Sequence, residues 1–551
     1  MRISPRWGWF LAFTAVFAVL AAFVFWGCWS VCVTFVAPDD PISFLTAYDD
    51  IVTSWWNGFL TTGMMQPTDI LWSGLLGTPL FCRELKYVVS IYCAALGMAY
   101  FLRGRGLSHL ASYGAGLLLA FCGYWFTLYN AGHGGWFILM TYCVFAFGLI
   151  DRALASGCIR HWLLLGAVVA WGSFHQPDIW MIFTAFTGVY FVFRAIVARP
   201  GWKPLLRGAA IAGTAFALVG APSFHEAFSV ALVNRKNQID ESKGSALTGG
   251  KTDDAESKWI FATNWSLPPD ETAEFFNARV NGDTSCPMTL SVNRSRGLRP
   301  YTGALGRPIN AKQGNYRQHS LYVGWVTCLL AIAAVVAAIA SMGRRKKEAG
   351  SSDVLFFAIA AVVFWLFSMG RYCEPVYRVV FSLPFGSYLR APVKWHHITE
   401  FCLCVLAGFG ISALGRWLDA FANGRARLAL KCALAAFVLW GVLDLAGEAK
   451  RFCAPVDYSK SVQKKCSAQL TVLSRQQFQD PQVAEMVRRG AIVSVASWLG
   501  SPDAYLVQVL EPLKAPKPEV PKPLPLALGV VSVLAAVGVV VYACFPRMKF
   551  R

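Results

Sequence analysis

Residues 7–36 contain no charged side chain, and a run of that length fixes the class of the chain before any motif is read. A helix crosses the roughly 30 Å of hydrocarbon in a bilayer with about 20 apolar residues, and this run exceeds that. The preceding residues 1–6 are basic, as in a secretory signal, but a signal core holds only about 7–15 apolar residues and ends at a small-residue cleavage pattern. No convincing A-x-A site follows, so a retained membrane helix is expected over 1–36. Composition agrees: 56% of residues are hydrophobic, 15% are charged and the mean hydropathy is +0.46, a balance foreign to water-soluble domains of this size.

Hydropathy predicts further spans near 87–102, 107–129, 136–150, 162–174, 179–197, 205–222, 321–342, 354–369, 398–414, 428–445 and 526–545. The fold class is therefore an all-α polytopic membrane protein with about twelve transmembrane helices, of which 162–174 is short enough to be tilted or re-entrant. Basic residues in the short connections (Arg2 and Arg6, Arg103 and Arg105, Arg152 and Arg160, Arg194 to Arg207, "GRRKKE", Arg416 to Arg427, and "PRMKFR") all fall on one side. The positive-inside rule makes that side cytoplasmic, with both termini inside, as in a multi-pass protein of a bacterial inner (plasma) membrane. Much of the formal charge of +19 is then a topological signal and not a nucleic-acid footprint. No zinc-finger, recognition-module or P-loop pattern speaks for nucleic acid or nucleotide as a partner.

This topology divides the chain into a first helix (1–36), a first outer loop (37–86), a bundle (87–222), a large outer loop (223–319), a second bundle carrying an outer Arg-x-Pro loop (320–446), a C-terminal outer segment with a proline-rich linker (447–525) and a last helix and tail (526–551). All the long polar segments lie on the outer side, so chemistry is expected there. The linker, "LKAPKPEVPKPLPL", favours a stiff polyproline II spacer. Among the sixteen cysteines, Cys28, Cys122, Cys143, Cys402 and Cys404 sit inside apolar runs, where a thiol acts as a small hydrophobe. Cys453 and Cys466 are spaced to close a short outer loop.

Two stretches carry candidate chemistry. In "FVAPDDPISFLTAYDDIVTSWW" the acids Asp39, Asp40, Asp49 and Asp50 lie in an apolar, aromatic context suited to an amphipathic helix on the membrane surface. They can serve as helix caps. A carboxylate partly desolvated at the interface is also a competent general base for a hydroxyl, and its oxygens can hold a divalent cation. In "SLPFGSYLRAPVKWHH", Arg390, Lys394, His396 and His397 gather beside a span on the same side. A guanidinium fork matches phosphate oxygens bidentately, whereas snorkelling to lipid headgroups is the alternative use of an arginine and a lysine here.

The order of features resembles the YfhO-like membrane proteins and the wider GT-C glycosyltransferases. The resemblance runs through the acidic first outer loop and "GMMQPTDILWSGLLGTPL", "YNAGHGGWFILMTYCVFAFGLID" with His133 in a Gly-His turn, "TNWSLPPDETAEFF" followed by "YTGAL" and "SLYVGW", and "LPFGSYLRAPVKWHHITEFCLCVLAGFGISAL". It implies GT-C-like extracytoplasmic loops and transfer of a sugar from a polyprenyl-phosphate carrier to a glycan, lipid or protein acceptor. By position, Asp39, Asp40, Asp49 or Asp50 would supply the base, Arg390 would meet the phosphate with Lys394 and His396 beside it, and His133 would contact carrier or acceptor. A transporter or flippase of lipid-linked glycans, which should place charges at mid-membrane depth, and a non-catalytic envelope assembly protein are the competing classes.

Overall fold

The computed structural model describes residues 5–28, 33–35, 79–126, 135–174, 177–226, 254–282, 299, 301–305, 320–342, 350–384, 386–421, 423–453, 455–457, 469–488, 492–497, 504–509 and 523–544. Helices occupy all the predicted span positions: α1 Pro5–Val24, α2 Pro79–Gly104, α3 His109–Ala120, α4 Gly135–Ser156, α5 Ile159–Gly172, α6 Pro177–Ala198 and α7 Trp202–Glu226 in the first half. After the short α8 Asp254–Thr263 come α9 Trp325–Met342, α10 Ser351–Ser368, the short α11 Glu374–Ser382, α12 His396–Phe421 and α13 Gly424–Phe452. Among the described residues, eight helices are long and apolar enough to cross a membrane, and α5 and α9 are shorter apolar ones. The protein is an all-α polytopic membrane protein.

The first apolar run does not stay helical to its end. Helix α1 stops at Val24, and Gly27 adopts φ 87°, a left-handed value that an L-side chain tolerates poorly. Beyond it, the β-branched and aromatic strand β1, Val33–Phe35, pairs antiparallel with β2, Pro455–Asp457, just past α13. Helices α1 and α13 also pack together, so the strand pair ties the exits of two neighbouring spans. Further along the C-terminal outer segment, β3 Gln469–Ser474, α14 Arg475–Phe478, α15 Pro481–Arg488, β4 Ile492–Ser497 and β5 Ala504–Val509 form a small module around an antiparallel sheet of order β3-β5-β4. Helix α16, Pro523–Cys544, follows.

Helix α12 is the axis of the second bundle. It packs on α3, α9, α10 and α13, and 72% of its apolar window is buried inside the protein, against 11% for α16. Small residues permit this: a Cβ on Gly410 would strike the backbone carbonyl of Leu330 in α9, a close approach of backbones that small residues allow between membrane helices. What α12 carries in its first turns is therefore held rigidly.

Four charged residues close a ring at the start of α10. Arg105 pairs with Asp353 and lies 3.7 Å from Asp151; Arg194 reaches Asp151 at 2.7 Å and Asp353 at 3.2 Å; and the Tyr190 hydroxyl donates to Asp151. The ring is neutral, nearly enclosed, and joins α4, α6 and α10 to the turn after α2.

Candidate functional site at the far end of α10

Helix α10 ends at Ser368, roughly 22 Å from Asp353 at 1.5 Å of rise per residue. Three segments distant in sequence meet there. The Ser368 carbonyl accepts from the Leu267 N–H at 2.8 Å, the Trp265 carbonyl accepts from the Val393 N–H at 3.2 Å, and Ser266 Oγ accepts from the Arg371 N–H at 3.1 Å while donating to the Thr263 carbonyl at 2.6 Å. Each segment contributes one left-handed residue at the junction: Trp265 (φ 59°), Gly370 (φ 51°) and Ala391 (φ 65°). Two of these carry side chains, and residues in this region cost free energy that surrounding contacts must offset, a condition concentrated at binding and catalytic sites. At Gly370 only glycine fits, since a Cβ would meet Ser266 Oγ and the Pro392 ring.

Arg390 is set by this junction. Its guanidinium carbon stands 4.9 Å from the centroid of the Trp265 ring and 5.6 Å from that of Phe261, and the residue is half-buried. Aromatic faces position a delocalised cation without themselves supplying a counter-charge. Lys394 and His396 take a different place. Both are buried, Lys394 at 6% exposure and His396 at 0%, with the His396 ring 4.3 Å from Phe275 and 5.3 Å from Tyr124. They lie beneath the rim that carries Arg390, in and just before the first turn of α12. Asp39, Asp40, Asp49, Asp50 and His133 lie outside the described residues, as does Cys466.

Sequence reasoning missed three acids. Glu400 is fully buried one turn into α12, with an oxygen 3.3 Å from His397 Nδ1, and His397 in turn stacks on Tyr124 and Trp125, each at 4.4 Å. The His-x-x-Glu spacing, which puts both groups on one helix face, was the available signal. Glu271 and Glu274 belong to the 3-10 turn Pro269–Phe275 within "LPPDETAEFF". Glu271 accepts from the Tyr301 hydroxyl and from the N–H groups of Ala304 (2.6 Å) and Leu305 (3.1 Å), so it closes the large outer loop on itself. Burial pushes its carboxyl above the ordinary range. Burial raises Glu274 further, to about 7, with the Glu271 charge adding and a hydrogen bond from the Asn281 N–H opposing. Among the described residues no group of three or more His, Cys, Asp or Glu side chains is placed to hold a metal ion.

No family model matches the chain, and no curated protein matches it. Among solved structures, the arabinofuranosyltransferase AftD from Mycobacteria overlaps 83% of this chain at 12% identity with a TM-score of 0.43, and the chain spans only 28% of that protein. ArnT from Cupriavidus metallidurans overlaps 93% of the chain, and 99% of its own, at 12% identity and a TM-score of 0.30 when bound to undecaprenyl phosphate. The apo form of ArnT overlaps 92% of the chain and 98% of its own, at 13% identity and a TM-score of 0.29. These overlaps are loose, and the reading of the site rests on the chain's own residues.

Proposed function

We propose that the protein is a GT-C type membrane glycosyltransferase that moves a sugar from a polyprenyl-phosphate carrier to an extracytoplasmic acceptor, in a bacterial inner membrane with both termini cytoplasmic. The observation that carries this reading is the meeting of two stretches on which the family resemblance rests. Arg390 of "SYLRAPVK" lies over Trp265 of "TNWSLPP", with a backbone hydrogen bond joining the same two stretches. Their union makes a cationic post at the end of a bundle of apolar helices, where a lipid phosphate has its headgroup. A transporter of charged glycans would call for charges spread at mid-depth; the enclosed charges described here cluster toward the two ends.

In the proposed reaction an aspartate of 37–86 takes the proton of the acceptor hydroxyl. The acceptor oxygen bonds to the anomeric carbon as the bond from that carbon to the phosphate oxygen breaks, and the electron pair leaves on the polyprenyl phosphate. Arg390 offsets the charge that appears on this leaving group, a contribution larger at the transition state than before it. Displacement from the opposite side inverts the anomeric centre. A divalent cation held by the loop aspartates would add positive charge to the same site.

The test supplies purified full-length protein in nanodiscs with polyprenyl-phosphate sugars and follows transfer by mass spectrometry. Arg390→Ala should lower turnover by about a hundredfold, in the range of losing one charge-assisted contact to a developing anion. Asp40→Asn and Asp50→Asn divide the aspartate role between the two pairs. Parent-like turnover and carrier binding in all three variants would refute the assignment.

A further inference from the structure

We propose that α11 is an interfacial helix whose outward apolar face is seated among the acyl chains of the adjoining membrane leaflet. The proposal stands apart from the glycosyl-transfer reading and concerns a segment that hydropathy leaves between two spans.

Helix α11 has three sides. Tyr377 and Val380 are buried on the first, where the Trp259 ring of α8 meets Tyr377 and Phe381 edge-on. The second carries Glu374 and Arg378, one turn apart and paired at 2.7 Å, with the Arg378 guanidinium carbon 4.0 Å from the centroid of the Trp259 ring. On the third, Val379 is 59% exposed beside the half-buried Val376. Tyr372, 45% exposed in the turn before the helix, and Leu383, 55% exposed just past its end, extend that spacing by four residues each way. Residues three and four apart share a helix face, so this side is apolar and uncharged. A contiguous apolar face rimmed by charge marks an interaction surface.

Position decides what covers it. The 18 residues of the span α10 rise about 27 Å, close to the roughly 30 Å of hydrocarbon, so Ser368 stands at the edge of the apolar layer. Residues 369–373, mostly the 3-10 turn Gly370–Cys373, separate Ser368 from Glu374. At about 2 Å of rise per residue the start of α11 lies within about 10 Å of that edge. The next span begins at Pro392, so the helix is tethered to the bilayer surface at both ends. It also packs on α10, which exposes Ile359 and Val362 as a lipid-facing span does. An amphipathic helix in that layer buries its apolar side among acyl chains. Since the charges of α11 form a neutral pair, apolar burial and not headgroup charge supplies the attraction. Seated in this way, α11 holds the left-handed residues Gly370 and Ala391, which bracket it in sequence, level with the membrane surface.

The experiment places p-benzoylphenylalanine at the position of Val379, Leu383 or Glu374, one at a time, in full-length protein reconstituted in phosphatidylcholine nanodiscs. After irradiation, intact mass spectrometry should show a gain of one phospholipid mass at the positions of Val379 and Leu383, with that adduct only a minor product at the position of Glu374. Crosslinks from either apolar position to a peptide of the same chain, or to a second copy, overturn the proposal and identify a protein cover. The absence of any adduct at both positions places the face in water and overturns it as well. A lipid adduct equally abundant at the position of Glu374 overturns the sided seating. Should the Val379 or Leu383 replacement fail to elute as a folded species, p-benzoylphenylalanine in place of Tyr372, close to it in shape, carries the comparison.

Discussion

Two arginine pairs sit at opposite ends of α10, and the fold treats them in opposite ways. At the start of the helix Arg105 and Arg194 are interleaved with Asp151 and Asp353 in a neutral ring, with Tyr190 satisfying a further carboxylate position. At the other end Arg390 lies over indole and phenyl faces, and Arg371 is held through its backbone N–H with its guanidinium carbon 5.8 Å from the centroid of the Tyr372 ring. An arginine supplied with its acid is part of the scaffold, because its valences are already spent. One held over aromatic faces takes its position from them. The difference marks one end as a lock and leaves the other as the proposed carrier site, without any appeal to motif.

The largest effect is expected from breaking the lock. Asp353→Ala leaves two enclosed guanidiniums sharing one carboxylate and should cost about 3–5 kcal/mol, read as a lowered thermal midpoint of the detergent-purified protein. Adding Arg105→Met to that variant should recover much of the loss; no change in either variant would mean the ring is incidental. At the proposed carrier site the effect should be smaller and more local. Gly370→Ala forces a side chain into a left-handed residue against Ser266 and Pro392 and should cost about 1–3 kcal/mol, with binding of polyprenyl phosphate impaired beyond what the lowered midpoint accounts for. A fall in midpoint with that binding intact would detach the junction from the proposed transfer site.

A pH dependence is expected at the same end. Glu274 in the folded protein titrates near 7 against an ordinary 4.5 because it is buried, so the native state holds this proton more tightly than the unfolded chain. Its contribution to stability is complete below pH 4.5, declines as pH rises, and is lost above about 7. The thermal midpoint should drift down across that window, and Glu274→Gln should flatten that part of the drift. A parent curve that Glu274→Gln leaves unaltered would show that the carboxyl is open to water.

Hydropathy made the helical spans legible because the bilayer imposes a length and an apolar composition on every crossing segment. It overran the end of α1, where Gly27 and the strand Val33–Phe35 are set by pairing with Pro455–Asp457, a partner no local pattern announces. Arg390 was readable as an arginine in a basic outer segment. Lys394 and His396 read as outer residues by composition; both are buried, His396 against Phe275 and Tyr124.

By itself the sequence determined that this chain enters a membrane, where its helices begin and end to within a few residues at most positions, and which residue types are available for an anionic lipid. Only the tertiary structure decided which charges cancel one another, because cancellation depends on carboxylates brought from other helices to within about 4 Å, and Coulomb energy at that range in a poorly screened interior outweighs anything encoded along a single segment.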